Sequence, residues 1–430
     1  MIEKTTFSTT STTLQPLWQF VPANDFRRPP LPRREAVRRS FGSAWEHIRH
    51  STGLELGRRR DLRSIPNHLL EWAAPPPSST QAVISLEMTL QPWLENGGLT
   101  NGRSPIQVVL DTPGSGVEQV VKDWARRVGW RIIAPPTVKQ ILAGGGGWLE
   151  DLMRGERMPF VLPRLEKCFL RHYDGLNLIN RLLDWLDATN QQCLIACDSW
   201  AWAFLEQAAQ VEAALAEPWA LAPFNGARLQ FWLPSLARRT YRGAFVFRRA
   251  DNGRLIFPRA DTDEEEDLRR TIPDSLDYYG EWVNVDYFLK QLAAYSRGMP
   301  GVVWAWWRQC LQVSHDVEID MAVQQEAASD QGYTVWVQPW SQLKLISIPP
   351  RWGSDALFIL HALLLHGEMS AEAMSQLLPL TDNEIRQSLH NLAKINVVNQ
   401  IHGLWRVTLL GYPTVRQKLQ NEGFLVDQQF

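Results

Sequence analysis

IQVVLDTPGSGVEQVV, residues Ile106–Val121, is the stretch that decides the fold. Its apolar run Val108–Leu110 is typical of a strand that is buried on both faces. The residues PGSG at 113–116 follow as a turn, and a helical pattern begins after them. A strand, a glycine-rich turn and a helix in this order are the layout of a phosphate-binding loop, although an ordinary turn would use the same glycines for their unusual backbone angles.

The residues that perform nucleotide chemistry are absent from this loop. A working loop reads G-x-x-x-x-G-K-[ST], in which the lysine reaches the phosphates and the hydroxyl holds magnesium. Aligned on its second glycine, the chain has Asp111 at the first glycine, Val117 at the lysine and Glu118 at the hydroxyl position. We therefore predict no catalytic residue here. Binding of ATP or ADP, if it is retained, is predicted at the backbone of Thr112, Gly114, Ser115 and Gly116.

Composition and length describe an ordinary globular protein of two or three domains. The chain has 430 residues, 45% apolar residues and a net charge of −2, which gives no global nucleic-acid signature. Four scattered cysteines fit a reducing compartment, so we expect a cytoplasmic protein. The longest apolar runs, such as Ala356–Leu365, are about half the length that spans a bilayer, and the histidines lack metal-ligand spacing. Neither a membrane span nor a metal site is predicted.

An arginine-rich segment near the N-terminus is the strongest local charge feature. Residues 26–63 hold eleven arginines against four acids. This patch would suit nucleic acid, acidic lipid or an acidic protein, or it could pair with the chain's own acidic run Asp261–Asp267. We favour protein contacts because aromatic residues are sparse here and the whole chain is not basic. The predicted partner-binding residues are Arg33, Arg34, Arg38 and Arg39.

The order of elements predicts an α/β class. Strands alternate with helices from residue 107 to about 196, which favours a parallel sheet covered on both faces. A hairpin with Asp-Asn-Gly at its turn follows at Tyr241–Pro258, and the last eighty residues show the helix–helix–helix–wing order of a winged helix. The predicted units are 1–80, an Arg/Pro-rich segment with short helices; 81–240, the α/β core; 241–275, an inserted hairpin and acidic loop; 276–349, a helical lid and connector; and 350–430, the winged helix.

Together these pieces resemble the AAA+ and related signal-transduction P-loop ATPases, particularly those of origin-recognition type with a helical lid and a C-terminal winged helix. The resemblance spans roughly residue 81 to the C-terminus. It implies a strand that ends in magnesium-positioning acids, but Pro163 and Arg164 stand there and Glu166 comes later. It also places Asp198 and Ser199 where a polar strand end would sense the γ phosphate. The lid pattern at Tyr287–Trp307 lacks the arginine that would contact phosphate.

The C-terminal unit is a poor candidate for DNA binding by charge alone. From residue 352 to 430 it carries five Lys or Arg against seven acids, and phosphate contacts supply most nonspecific affinity for DNA. We therefore predict a catalytically degenerate, AAA-like scaffold or adaptor, a pseudo-ATPase that binds protein partners as an oligomer or hetero-complex. One alternative is a DNA-binding regulator that uses the arginine-rich segment and the winged helix. Another is a divergent nucleotide-dependent switch that borrows a cation such as Lys122.

Overall fold

The computed structural model describes most of the chain, and several predictions fall outside the part that it describes. The predicted partner residues Arg33, Arg34, Arg38 and Arg39 and the acidic run at 261–267 are among these. In the described part, no helix is long and apolar enough to cross a membrane. The described ranges are 17–32, 61–96, 105–154, 158–238, 244–257, 285–314, 333–349 and 353–430.

The strands form a core sheet, a smaller sheet and a two-stranded hairpin. The core sheet has the order β1-β7-β3-β6-β5-β4, the small sheet has the order β2-β9-β10-β8, and β11 pairs with β12. The strands are β1 Phe20–Pro22, β2 Leu62–Ser64, β3 Ile106–Asp111, β4 Arg131–Ile132, β5 Phe160–Leu162, β6 Cys193–Asp198, β7 Trp219–Leu221, β8 Phe245–Arg249, β9 Leu311–Ser314, β10 Tyr333–Val337, β11 Val398–Ile401 and β12 Leu404–Val407.

Helices cover the core sheet and build the C-terminal third of the chain. They are α1 Asn67–Ala73, α2 Thr80–Glu95, α3 Val117–Val128, α4 Val138–Leu142, α5 Gly146–Arg154, α6 Asn177–Ala188, α7 Ser199–Ala208, α8 Val211–Ala214, α9 Gly226–Leu236, α10 Tyr287–Tyr295, α11 Pro300–Cys310, α12 Gly353–His366, α13 Ala371–Leu377, α14 Asp382–Lys394 and α15 Tyr412–Asn421.

The α/β prediction is confirmed by the core sheet. Five of its strands, β7, β3, β6, β5 and β4, run parallel. The strand β3 lies between β7 and β6, and the first five residues of β3 are buried, as the apolar run required. The register places Asp111 beside Asp198. Since parallel strands end at one edge, the residues that follow β3, β5 and β6 meet there; we call this the carboxyl edge.

Two pairings were not anticipated from the sequence. The strand β1 pairs antiparallel with β7, so the N-terminal segment contributes to the core sheet. The hairpin predicted at Tyr241–Pro258 is short: Arg248 bridges Leu255 in the antiparallel sense, and the Ile256 N–H donates to the Phe247 carbonyl at 3.1 Å. The longer pairing of β8 is parallel and is made with β10. Both pairings join residues that are far apart in sequence, so local turn signals could not reveal them.

The C-terminal unit, residues 353–430, contains α12 to α15 and the hairpin β11–β12. The helix α12 is apolar on nearly every side and is almost entirely buried, because it lies between the rest of this unit and the core. A capping box between Thr381 and Glu384 begins α14. These elements have the order expected from the sequence, and their assignment as a winged helix stays a prediction.

Candidate functional site

The glycine-rich loop connects β3 to α3 as its sequence indicated. Gly114 and Gly116 have φ angles of +76° and +75°, which side chains with a Cβ rarely adopt. The Ser115 N–H donates to the Thr112 carbonyl at 2.8 Å and closes the turn. Gly116 is the N-cap of α3, so the predicted nucleotide-binding residues 112–116 do form a compact loop at a helix N-terminus.

A carboxylate of the chain itself caps this helix. The Ser115 hydroxyl donates to Asp111 Oδ1, and the Glu118 N–H donates to Asp111 Oδ2 at 3.1 Å. Free N–H groups at a helix N-terminus attract anions, and here one of them is satisfied by Asp111. Burial raises the pKa of Asp111 from 3.8 to about 6, and nearby Glu166 and Glu118 add to the effect. The loop therefore presents negative charge close to the place where phosphates would bind.

Arg164 collects the surrounding carboxylates into one ion-pair network. It follows β5, and its guanidinium lies 2.7 Å from Glu166, 2.9 Å from Glu368 and 3.7 Å from Glu118. Burial alone would lower the pKa of Arg164, but the carboxylates raise it above its ordinary value. We call these four residues the Arg164 network. Two of its members stand at positions where magnesium chemistry would need a hydroxyl and an acid.

The end of β6 is also engaged within the protein. The Asp198 carboxylate caps α7 by accepting from the Trp200 N–H at 2.8 Å, and its own N–H donates to Glu166 Oε2 at 3.3 Å. Burial, followed by the charges of Glu166 and Asp111, raises the pKa of Asp198 well above its ordinary value. The side chain that the resemblance assigned to γ-phosphate sensing therefore serves as a half-buried helix cap.

The C-terminal unit docks on this carboxyl edge through polar contacts. Glu368, which pairs with Arg164, also accepts from Lys167 Nζ through its carbonyl at 2.7 Å. The Ser199 hydroxyl donates to Asp427 Oδ2 at 2.9 Å, and Asp427 is held in turn by Arg416 at 3.0 Å. The positions that the resemblance connects with nucleotide thus contact residues about 200 positions later in the chain.

Side chain and backbone atoms also crowd the glycine turn. A Cβ placed on Gly114 would lie 2.5 Å from Leu409 Cδ2, and a Cβ placed on Gly301 would lie 2.1 Å from the Gly114 carbonyl oxygen. Gly301 belongs to the first turn of α11, the second helix of the lid pattern. The backbone of α11 therefore approaches the backbone of the loop directly at Gly114. At Gly116, in contrast, an added Cβ would have no neighbouring atom within 4 Å.

The remaining candidate residues that the structure describes have partners within the protein. Lys122, the cation that a divergent ATPase might borrow, pairs with Glu118 on the same helix. Both histidines of α12 are buried: His361 contacts Arg171 and the Leu425 carbonyl, and His366 contacts the Glu166 carbonyl. Among the residues whose positions are described, no group of three or more His, Cys, Asp or Glu could hold a metal ion.

The sequence indicated that Glu118 and Arg164 depart from the motifs of the family that the chain resembles. It did not indicate that the two side chains form an ion pair with each other at 3.7 Å. One signal was available: a negative charge, Glu118, stands at one motif, and a positive charge, Arg164, stands at another. Glu166 and Glu368, the other two members of the Arg164 network, could not be found in this way, because only the fold brings them close to Arg164.

The chain was compared with protein families, curated proteins and solved structures. No family model matches it, and no curated protein matches it. It is similar to the crystal structure of Cdc6p from Pyrobaculum aerophilum, with 14% identity, a TM-score of 0.29 and coverage of 83% of this chain and 98% of that chain. It is also similar to the Aeropyrum pernix ORC2 protein, in ADPNP–ADP complexes, with 14% identity, a TM-score of 0.27 and coverage of 91% and 96%.

The layout that the resemblance implied is present in this chain itself. The glycine turn follows a central strand of a parallel sheet, a helical pair α10–α11 lies against that turn, and a helical C-terminal unit follows. Fold does not determine function, so the contacts at the carboxyl edge must decide what the site can do.

Proposed function

We propose that this chain is a non-hydrolysing scaffold that holds protein partners in a larger assembly, and that its carboxyl edge works as an internal joint instead of a nucleotide site. One observation carries the proposal. Arg164 and Glu118 stand at positions that would need to bind magnesium, and they pair with each other. Arg164 also pairs with Glu368 of the C-terminal unit. The Arg164 network, which joins the core to the C-terminal unit, thus occupies positions 118 and 164, which would have to be free to bind magnesium in a catalytic site.

The charge at the carboxyl edge opposes nucleotide binding. Hydrolysis depends on cations and magnesium that neutralise the charge developing on the phosphates. Here the charges of Glu166 and Glu118 add to the burial that raises the pKa of Asp111, and those of Glu166 and Asp111 add to the burial that raises the pKa of Asp198. Arg164 pairs with Glu118, Glu166 and Glu368, and Lys122 also pairs with Glu118. A triphosphate would have to displace these partners, at a cost in buried, unpaired charge.

Exposed apolar side chains support a role in protein binding. Met88 is 67% exposed and Ile84 is 46% exposed, and their spacing of four residues puts them on one face of α2. Phe231 on α9 is 61% exposed and Trp72 on α1 is 45% exposed. Aromatic residues and methionine are enriched where proteins meet. These faces, together with the arginines at 33–39, are the proposed partner contacts.

Calorimetric titration of the full chain with ATP and ADP, with and without magnesium, tests the proposal. We expect no heat of binding and no phosphate release, while an active P-loop ATPase in the same buffer gives both. Magnesium-dependent turnover by the pure protein, abolished by Glu166→Gln or Asp198→Asn, would contradict it. Such a result would favour the switch ATPase instead.

The DNA-binding alternative makes a different prediction. The third helix of the C-terminal unit, α14, would enter the major groove of a winged-helix complex. Its exposed Arg386 is paired with Glu372 at 2.7 Å, and Asp382 and Glu384 are exposed in its first turn, which would repel phosphates. DNA affinity that falls steeply with salt, and that is lost when Arg33, Arg34, Arg38 and Arg39 are neutralised, would support this alternative.

A further inference from the structure

A cavity of about 380 Å³ lies where α10, the segment 345–348 and α15 meet, away from the glycine-rich loop. Its volume is in the range of small-molecule sites. The residues that line the cavity are of two kinds. The apolar residues include Tyr295, Ile346 and Ile348, and the polar residues include three cations, Arg297, Arg416 and Lys418. No carboxylate is among the described residues that line it.

Arg297 is the lining cation with unused hydrogen-bond donors within the described residues. Its Nε and Nη2 atoms are buried, and neither has a hydrogen-bond partner within the described part of the chain. Arg416 is engaged with Asp427 at 3.0 Å, and Lys418 with Glu422. Burial, together with the like charge of Arg416, lowers the pKa of Arg297 to about 10. A buried guanidinium with unused donors is costly unless an anion pairs with it.

The backbone at Arg297 is a second, independent observation. It follows the C-cap of α10 and has a φ angle of +56°, although the next residue is Gly298, which adopts such an angle without cost. A residue other than glycine is strained in this conformation, and such strain is concentrated at ligand sites. Arg297 is among the residues that line the cavity.

We propose that this cavity binds a small organic anion, whose phosphate or carboxylate group pairs with Arg297 while its apolar body lies against Tyr295 and Ile346. Paired, hydrogen-bonded guanidinium–anion contacts are among the strongest polar interactions in proteins. A lining that combines cations with apolar side chains suits a ligand that has a charged head and an apolar body. The proposal does not depend on whether the carboxyl edge binds nucleotide.

Calorimetry and ligand-observed NMR on the full chain test this site with four probes. Phenyl phosphate and benzoate carry different heads on one apolar ring, inorganic phosphate has the head without the ring, and phenol has the ring without the charge. We expect saturable binding of phenyl phosphate or benzoate, weaker binding of inorganic phosphate and none of phenol. The stronger of the first two identifies the head group.

Three variants separate a ligand role from a structural one. Arg297→Asn removes the guanidinium but tolerates the left-handed backbone, and should weaken binding by about tenfold or more. Arg297→Gly should also lose binding while raising the melting temperature, because it relieves the backbone strain. Arg154→Gln removes an exposed arginine elsewhere, which is paired with Glu150, and should leave binding unchanged.

Two results would overturn the proposal. One is the absence of saturable binding of both phenyl phosphate and benzoate to the wild-type chain. The other is equal affinity in wild type and Arg297→Asn, which would place any bound anion elsewhere. If Arg297→Asn fails to fold, Arg297→Gly gives the same comparison, because glycine suits the observed φ angle.

Discussion

Arg164 of the core forms an ion pair with Glu368 of the C-terminal unit at 2.9 Å, and the two residues are 204 positions apart. The same guanidinium binds Glu166, which is 5% exposed. Removing one partner of a buried ion pair leaves an uncompensated charge, and this costs more than the pair itself contributes. Arg164 therefore connects the stability of the core to the docking of the C-terminal unit.

The first prediction concerns this connection. Arg164→Met keeps most of the side-chain volume but removes the cation that Glu166 and Glu368 share, while Glu118 keeps its pair with Lys122. We expect the free energy of unfolding to fall by about 3 kcal/mol, as for a broken buried ion pair. The measurement is chemical denaturation followed by tryptophan fluorescence, with hydrogen exchange of α12 as a local readout. Exchange in α12 should become faster because its contact with the core is weakened.

Arg154→Met is the matched control, because it breaks an exposed ion pair with Glu150 and should change stability by no more than about 0.5 kcal/mol. A loss in Arg164→Met as small as that of the control would mean that the network does not hold the C-terminal unit. In the double variant Arg164→Met/Glu368→Gln, the losses should be less than additive, since the two residues share one interaction.

The second prediction concerns the pH dependence set by Asp111. Its folded pKa of about 6 lies above its ordinary value of 3.8. The folded state therefore binds more protons between these values, and this contribution to stability is lost as pH rises through that window. Asp111→Asn removes the titrating group. Asn can still accept from the Glu118 N–H and can donate to the Ser115 hydroxyl, which is able to accept.

We expect the variant to gain up to roughly 3 kcal/mol relative to wild type as pH rises from about 4 to about 7. Denaturation curves at four pH values measure this difference. Asp151→Asn, at an exposed aspartate of α5, is the control and should show no such trend. A constant difference between Asp111→Asn and wild type across the range would contradict the expected burial of this carboxyl.

The sequence was sufficient for features that depend on short stretches. The apolar run of β3, the glycines at 114 and 116 and the helical pattern after them are local signals, and the strand, turn and helix lie where they were predicted. The strand β1 was missed because it has only three residues and contains Pro22. Such a strand is possible only at a sheet edge, and no local pattern indicates which edge it joins.

The candidate site was predictable only in part, for the same physical reason. The substitutions at Val117, Glu118 and Arg164 can be read from the motif, but their new partners cannot. Glu368 and Asp427 reach the carboxyl edge because α12 buries its apolar faces against the core, which brings distant residues together. Arg297 carried no motif at all, since its importance depends on burial and on an unusual backbone angle.

The third prediction concerns acid sensitivity of the C-terminal unit. Burial lowers the pKa of His366 to about 3 and that of His361 to about 4, from 6.5. The unfolded state therefore binds more protons below pH 6.5, and stability is lost as pH falls toward the folded values. His366→Leu should reduce this loss, because Nε2 of His366 has no partner among the described residues.

Hydrogen exchange of α12 at pH 7 and at pH 5 measures the effect, after correction for the intrinsic pH dependence of exchange. His390→Gln, at an exposed histidine of α14, is the control and should behave as wild type does. Equal acid sensitivity of His366→Leu and wild type would show that another group governs the docking of α12. The direction is opposite to that expected for Asp111, so the two effects can be separated by pH.

The last prediction concerns the glycine-rich loop and asks whether a complete phosphate-binding motif would be enough for nucleotide binding. Asp111→Gly, Val117→Lys and Glu118→Thr together write GTPGSGKT into residues 111–118, which is a complete phosphate-binding motif. We nevertheless expect no calorimetric binding of ATP or ADP. Leu409 and Gly301 still contact Gly114, and Arg164 still stands where a magnesium-positioning acid would be needed.

Circular dichroism and the melting temperature establish that the triple variant is folded. If it is not, Glu118→Thr alone gives the comparison at the magnesium position. Micromolar ATP binding by a folded triple variant would mean that Gly301 and Leu409 do not block the loop. The residues at positions 111, 117 and 118 alone would then prevent binding in the wild type. Absence of binding would instead locate the barrier in the packing of the lid and the C-terminal unit, which no change within the loop can remove.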